Sequence, residues 1–245
     1  MKKAIIVVSF GTTHADAEES CIRPVERALA AAFPDREIHR AWTSRIIARR
    51  LAARGETVEN ETEALARLRA VGCEDITFVP THMIRGQEYE RVLAVADGLP
   101  VSAPLLDTEA DLKWMAGLLD GIAAEEGRTL LVMGHGTDHV ADETYARLRS
   151  VLTDRVKLAC VEGRHALNGI LDALEAVPGK RLTLMPLMLV AGDHARNDLA
   201  GDASDSWKSI LLARGFDVRA RLTGLGALKS VQRRFVEKAG EAMKG

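Results

Sequence analysis

The chain has no Cys-x-x-Cys pair, no apolar run long enough to span a bilayer, almost no net charge, and neither a Gly-x-Gly-x-x-Gly nor a Gly-x-x-x-x-Gly-Lys turn. Each absence removes a class of function. Only three cysteines, Cys21, Cys73 and Cys160, occur in 245 residues. Scattered and odd in number, they argue against a disulfide framework or a thiolate zinc site and for reduced thiols in the cytoplasm. The 33 basic and 35 acidic side chains leave a net charge of −2, so no global field draws the chain to nucleic acid or to an anionic membrane. Met1-Lys2-Lys3 has the charged opening of a secretory signal, but the apolar run behind it stops at Ser9 and Gly11, too short for export. Without a glycine signature, dinucleotide and P-loop nucleotide binding have no support. A small, locally recognised ligand remains.

What is present is one passage written twice. Ala4-Ile5-Ile6-Val7-Val8 runs into Ser9-Phe10-Gly11-Thr12, and Thr129-Leu130-Leu131-Val132-Met133 runs into Gly134-His135-Gly136-Thr137. Further on, Ile76-Thr77-Phe78-Val79-Pro80 leads to Gly86-Gln87-Glu88, as Leu182-Thr183-Leu184-Met185-Pro186 leads to Gly192-Asp193-His194. Phe10 therefore matches His135, and Glu88 matches His194. The repeat predicts an internally duplicated α/β fold of two similar lobes, each a parallel sheet flanked by helices, with a cleft between them and the chemistry on the second. The lobes are expected at 1–125 and 126–245, divided near the polar Ala123 to Arg128 stretch with Gly127 as its punctuation.

Short apolar or β-branched runs alternate with stretches of helical period, the pattern of a parallel sheet covered on both faces. In the first half, strands are expected at Ala4–Val8, Glu37–Trp42, Ile76–Pro80 and Val101–Leu105. Helices are expected around Ile22, Val25 and Leu29, over about Ser44–Ala53, over Glu59–Val71 with Gly72 as the stop, and around Leu112 to Ile122. In the second half, the strands are Thr129–Met133, Val156–Val161, Leu182–Leu189 and Phe216–Leu222. Helices fall at about Asp142–Leu152, Leu167–Ala176, Asp202–Arg214 and Leu228–Met243.

Open α/β sheets bind ligands beyond the carboxyl ends of their strands. Three residues of the second half emerge there: His135, Glu162 and His194. Neighbouring strands lie about 5 Å apart, so three such side chains can converge on one ion. Two imidazoles and a carboxylate suit a first-row divalent cation and leave positions open for something else to bind. A single strand-end histidine is more often structural, and His14, His39, His139 and His165 stay on that side. His135 differs because glycines on both sides let backbone approach closely while the ring points outward. His194 sits in a polar loop after a strongly apolar strand, where Asp193 is a candidate for fixing one ring nitrogen. On the first lobe, the turn Ser9-Phe10-Gly11-Thr12 and the cluster His82 to Glu90 are the matching candidates. Glu88 and Glu90 also suit the opening turn of a helix.

These residues are familiar as a set. Val7 to Thr12, His82 to Glu90, Met133-Gly134-His135-Gly136, Val161-Glu162, the long Met185 to His194 stretch and Asp205-Ser206-Trp207-Lys208 resemble the anaerobic sirohydrochlorin cobaltochelatases of cobalamin synthesis, of the class II chelatase family, over nearly the whole chain. The resemblance implies ATP-independent insertion of Co²⁺ into sirohydrochlorin, a tetrapyrrole with eight carboxylates. His135, Glu162 and His194 then act as metal ligands and catalytic residues. Ser9, Phe10, Gly11, Thr12, His82 and Glu88 meet the tetrapyrrole, and Arg45, Arg85 or Lys208 meets its carboxylates. Co²⁺ is the substrate metal in that resemblance, no nucleotide is expected, and haem binding is compatible with the family although no residue pattern indicates it. No nucleic-acid or membrane partner is expected, and a homo-oligomer is compatible with the sequence. Three other functions fit the same residues: a ferro- or nickel-chelatase on the same substrate, a tetrapyrrole or metal carrier, and a zinc hydrolase, which lacks a His-Glu-x-x-His signature.

Overall fold

Seven strands form two separate parallel sheets in the computed structural model, which describes residues 2–244. In the first sheet β1 (Lys2–Ser9) lies between β2 (Glu37–Trp42) and β3 (Cys73–Pro80), in the order β2-β1-β3. In the second, β4 (Thr129–Gly134), β5 (Val156–Cys160), β6 (Arg181–Pro186) and β7 (Asp217–Ala220) run in the order β5-β4-β6-β7. The two sheets thus repeat one arrangement, with β4, β5 and β6 in the places of β1, β2 and β3. Every strand pairing is parallel. The central strands show the cost of that geometry in their composition. Ile5 to Val8 and Leu130 to Met133 are all fully buried, because helices cover both faces of a parallel sheet.

The contacts divide the chain into Met1–Leu105 with Gly226–Gly245, and Leu106–Leu225. This differs from a division at 125/126 at both edges. The helix Glu109–Glu126 packs on β4 and on the helix Glu143–Val151, so it belongs with the second sheet. The helix Lys229–Ala242 packs on β3 and the helix Arg23–Ala32, so it belongs with the first. Gly127, with φ 63°, ends the helix Glu109–Glu126 as a left-handed cap and does not separate units.

In the first unit, Ala4, Ile6 and Val8 pack with Leu65 and Leu68 of the helix Glu61–Ala70 and Val92 of the helix Gln87–Ala96. Asn60 starts the former helix by accepting the N–H groups of Thr62 and Glu63, while the Glu63 carboxylate takes the Asn60 N–H. In the second unit, Leu131 and Met133 pack with Leu171, Leu174, Trp207 and Leu211. No helix among the described residues is long and apolar enough to cross a membrane.

Several local expectations change, and the strand expected over Leu182–Leu189 ends at Pro186. The segment from Val101 makes one bridge, to Phe78, instead of a strand. Pro100 and Pro104 flank it, and each lacks the N–H a ladder needs. The helix expected over Asp202–Arg214 begins only at Trp207, because Ser206 caps it by accepting the Ser209 N–H.

Two glycines and one histidine set the chain's path at the strand ends. Gly11 and Gly136 have φ of 94° and 79°, in the left-handed region. A Cβ at Gly11 would lie 2.7 Å from the Trp42 ring, and one at Gly136 would lie 1.9 Å from the Glu162 carbonyl oxygen. Beyond β3, the two ring nitrogens of His82 are shut away from solvent and have no hydrogen-bond partner. Burial, reinforced by the Arg91 charge, depresses the His82 pKa to about 4.

Gly136→Ala is expected to cost at least about 2–3 kcal/mol, because strained φ and a backbone clash act together. Urea denaturation compares it with wild type. His82 has a second consequence. Its folded pKa lies below the unfolded value of about 6.5, so its contribution is complete above pH 6.5 and lost as pH falls toward 4. Unfolding free energy should drop by up to about 2–3 kcal/mol across that window, and His82→Leu should flatten this part of the pH profile.

Candidate functional site

The strand order decides which loops become neighbours. β4 lies between β5 and β6, so the residue after β4 stands between the loops leaving the other two. His135 directly follows β4, Glu162 lies two residues beyond β5, and His194 lies in the longer loop after β6. Backbone bonds carry the pairing past the strands themselves. The Val161 N–H donates to the Gly134 carbonyl at 3.0 Å, the Glu162 N–H to the His135 carbonyl at 2.8 Å, and the Leu187 N–H to the Met133 carbonyl at 2.7 Å. Below them lies the buried Tyr145 ring, whose packing leaves no room for a side chain at Gly134: a Cβ there would sit 2.8 Å from Tyr145 Cε1. Burial raises the pKa of the Tyr145 phenol, and the nearby backbone of Gly136 and His135 works against that rise. Cys160, the nearest thiol, is pushed up to about 12 by burial and stays protonated.

The two imidazoles meet edge to face, with ring centroids 4.9 Å apart. His135 Nδ1 lies 2.9 Å from the Gly136 carbonyl oxygen, and His194 Nδ1 lies 2.6 Å from Asp198 Oδ2. A carbonyl and a carboxylate only accept, so each Nδ1 carries the hydrogen and each Nε2 keeps its lone pair. Both rings are thus set in the tautomer that presents Nε2 to a metal. The Glu162 carboxylate stands 3.9 Å from His135 Nδ1, on the side of the ring away from Nε2. Its side chain is 59% exposed. Among the described residues, no three His, Cys, Asp or Glu side chains are gathered as a finished metal cage. His135, Glu162 and His194 meet in pairs.

The carboxylate behind His194 is Asp198, not the Asp193 suggested by adjacency in sequence. The wide π-type turn Ala195–Leu199 explains the choice. It buries Ala195 and Leu199 and brings the side chain four residues on beneath the ring. Such turns recur at functional sites. Gly201 closes the turn by donating its N–H to the Asn197 carbonyl at 3.0 Å, where a Cβ would come within 2.3 Å of that oxygen. The signal available in the sequence was the acidic residue at i+4 together with this glycine.

The first-unit candidates divide by what their side chains already do. Ser9 is buried and its hydroxyl lies 2.8 Å from that of Thr81, while Thr12 is buried and accepts the His14 N–H. Neither hydroxyl projects outward. Phe10, by contrast, is 49% exposed and presents its ring to solvent. Glu88 pairs with Arg91 at 3.1 Å, one turn along the same helix. Among the basic candidates, Lys208 binds Asp202 at 2.7 Å, Arg85 lies over the Tyr89 ring, and Arg45 reaches Glu61 at 4.0 Å. Of the histidines set aside, His39 lies 3.3 Å from Glu37, His139 accepts the Ala141 N–H, and His165 faces Asp142.

Comparison with known proteins agrees along the whole chain. A family model described as cobalt chelatase (CbiK) matches residues 3–244. The sirohydrochlorin cobaltochelatase of Salmonella typhimurium is 37% identical over 258 aligned residues, covering 99% of this chain and 97% of that protein. The sirohydrochlorin cobaltochelatase CbiKC of Nitratidesulfovibrio vulgaris is 31% identical over 229, covering 87% and 81%. Among solved structures, that of CbiX, the terminal enzyme for siroheme biosynthesis in denitrifying bacteria, superposes with a TM-score of 0.58 at 19% identity, over 98% of this chain and 99% of that one. That likeness concerns the fold, two parallel sheets flanked by helices. With the family pattern matched from residue 3 to residue 244, and a relative more than one third identical over almost its full length, the chain belongs to the CbiK cobalt chelatase family.

Proposed function

We propose that this chain is the sirohydrochlorin cobaltochelatase of a cobalamin pathway, and that His135, Glu162 and His194 receive the metal. Family membership carries the activity. The observation that supports the site is the pair of imidazoles at adjacent strand ends, each with Nδ1 engaged and Nε2 open. Co²⁺ is the substrate metal. The balanced reaction is loss of two pyrrolic protons from the macrocycle as the ion enters, so charge on the tetrapyrrole core is unchanged.

Three demands follow: strip water from the ion, present it to the ring nitrogens, and take the protons away. His135 and His194 hold the ion through Nε2, and Asp198 strengthens His194 as a donor by accepting its Nδ1 hydrogen. Glu162 rotates in to offset the cation's charge. Partial exposure of all three side chains, 44%, 59% and 37% for His135, Glu162 and His194, suits ligands that release their ion to a second acceptor. A three-ligand set leaves coordination positions for the incoming nitrogens. Of the first-unit candidates, Phe10 is assigned to the tetrapyrrole through its exposed ring, Gly11 through backbone and Glu88 through its carboxylate, whereas Ser9, Thr12 and His82 turn their polar side-chain atoms inward and are left to the scaffold. The buried, unbridged cysteines accord with a reducing, cytoplasmic setting.

His194→Ala is expected to reduce Co²⁺ insertion to below about 1% of wild type while leaving the far-UV circular dichroism unchanged, since the ring touches no core cluster. Wild-type turnover with Co²⁺ and sirohydrochlorin in that variant would remove the ligand assignment. Asp198→Asn keeps the side chain's shape and loses its charge, so activity should fall about 10–100-fold with the fold intact. Parallel assays with Fe²⁺ and Ni²⁺ read the metal preference, because imidazole and carboxylate donors accept all three ions.

A further inference from the structure

Asp142 is a buried carboxylate that its own helix does not use. It stands at the start of the helix Glu143–Val151, 1% exposed, yet its side chain caps none of that helix's N–H groups. Instead, Oδ1 accepts the Thr137 N–H at 3.2 Å, two residues beyond His135. The same oxygen lies 3.0 Å from where a Cβ on Gly163 would be, so it is pressed against the residue following Glu162. Oδ2 faces His165 Nε2 at 3.5 Å and Arg164 Nε at 3.7 Å, both on the loop that carries Glu162; these are charge contacts beyond hydrogen-bond reach, so Oδ2 and His165 Nε2 face each other buried and without a hydrogen-bond partner. One carboxylate thus touches the loop after β4 and the loop after β5.

The tautomer of His165 follows from its other neighbour. Arg149 Nη1 lies 3.3 Å from His165 Nδ1, and a guanidinium only donates, so Nδ1 accepts and the hydrogen sits on Nε2, facing Asp142. The His165 carbonyl accepts the Cys160 N–H at 2.7 Å, tying the far side of the same loop to the end of β5. The chain Arg149, His165, Asp142, Thr137 therefore runs from a helix through both loops.

We propose that Asp142 and His165 form a positioning pair that sets the distance between His135 and Glu162 and so the metal-binding geometry. The proposal rests on the reading of His135, Glu162 and His194 as metal ligands. Neither member touches the metal or the tetrapyrrole. They act by holding two backbone segments in register, where a shift of a fraction of an ångström moves both donors.

The test uses Co²⁺ alone as probe on the full chain, then the complete reaction. Asp142→Asn keeps an oxygen for the Thr137 N–H but turns an amide N–H₂ toward the His165 Nε2–H, donor against donor. His165→Phe keeps the ring and removes the Nε2–H. Each variant should bind Co²⁺ about 10–100-fold more weakly. The visible absorption bands of the bound ion should be altered, kcat lowered, and KM for sirohydrochlorin unchanged. Wild-type Co²⁺ affinity and spectrum in both folded variants would overturn the proposal, whatever their melting temperatures. Loss of the native near-UV circular dichroism in both would also overturn it, by making the pair a structural one. His194→Ala separates the two ideas. If it abolishes Co²⁺ binding while Asp142→Asn leaves binding intact, only the positioning role fails. If it too leaves binding intact, the ligand assignment itself fails.

Discussion

Beyond the bond from the Val161 N–H to the Gly134 carbonyl, one further backbone hydrogen bond, from the Glu162 N–H to the His135 carbonyl, extends the parallel pairing of β4 and β5 past their last strand residues. The two candidate side chains then leave adjacent points on one frame, where mobile loops would have scattered them. That bond exists only because residue 136 is glycine, with positive φ and no side chain to strike the neighbouring carbonyl. The imidazole orientation follows, since the turn that spares the clash also points the Gly136 carbonyl at His135 Nδ1.

The two units show how one scaffold is given different work. Each has its central strand between the next two, and each turns out of that strand through a glycine with φ far above zero. In the first, the strand ends are finished internally. Ser9 and Thr81 bond each other, Gly11 makes way for the Trp42 indole, and Phe10 is the large group left outward. In the second, Tyr145 fills the space below Gly134, and imidazole stands where the first unit has phenylalanine. At the turn after the central strand the outward side chain is a phenyl ring in one unit and an imidazole in the other, a change from an apolar group to a metal-binding one.

Most of this arrangement was legible in the residues. Alternating apolar runs and helical periods placed all seven strands, and the repeat pointed to Phe10 against His135. His135, Glu162 and His194 stood out because each follows an apolar run at matching places. What escaped was set by contacts distant in sequence. The carboxylate behind His194 was sought at the adjacent Asp193, but the wide turn at Ala195–Leu199 delivers Asp198. The segment at Val101 has strand-like composition, and only its flanking prolines explain why one bridge is all it forms. The contacts group the chain differently from the expected 125/126 division for the same reason. The polar stretch at Ala123 to Arg128 looks like a linker, yet most of it is the end of a helix packed on the second sheet. Asp142 carried no signal at all, because its role depends on Thr137, Gly163 and His165 converging around it.

The division into units also orders events at the ribosome. The second unit is one uninterrupted stretch, Leu106–Leu225, whereas the first is assembled from two pieces that bracket it. As the nascent polypeptide emerges, the bracketed stretch has every residue of its core in hand before the first unit does. The earlier-made sheet lacks the helix Lys229–Ala242, which packs on β3 and on the helix Arg23–Ala32, until the last stretch of the chain is made. The half that bears His135 and His194 is thus the half whose core residues are complete first.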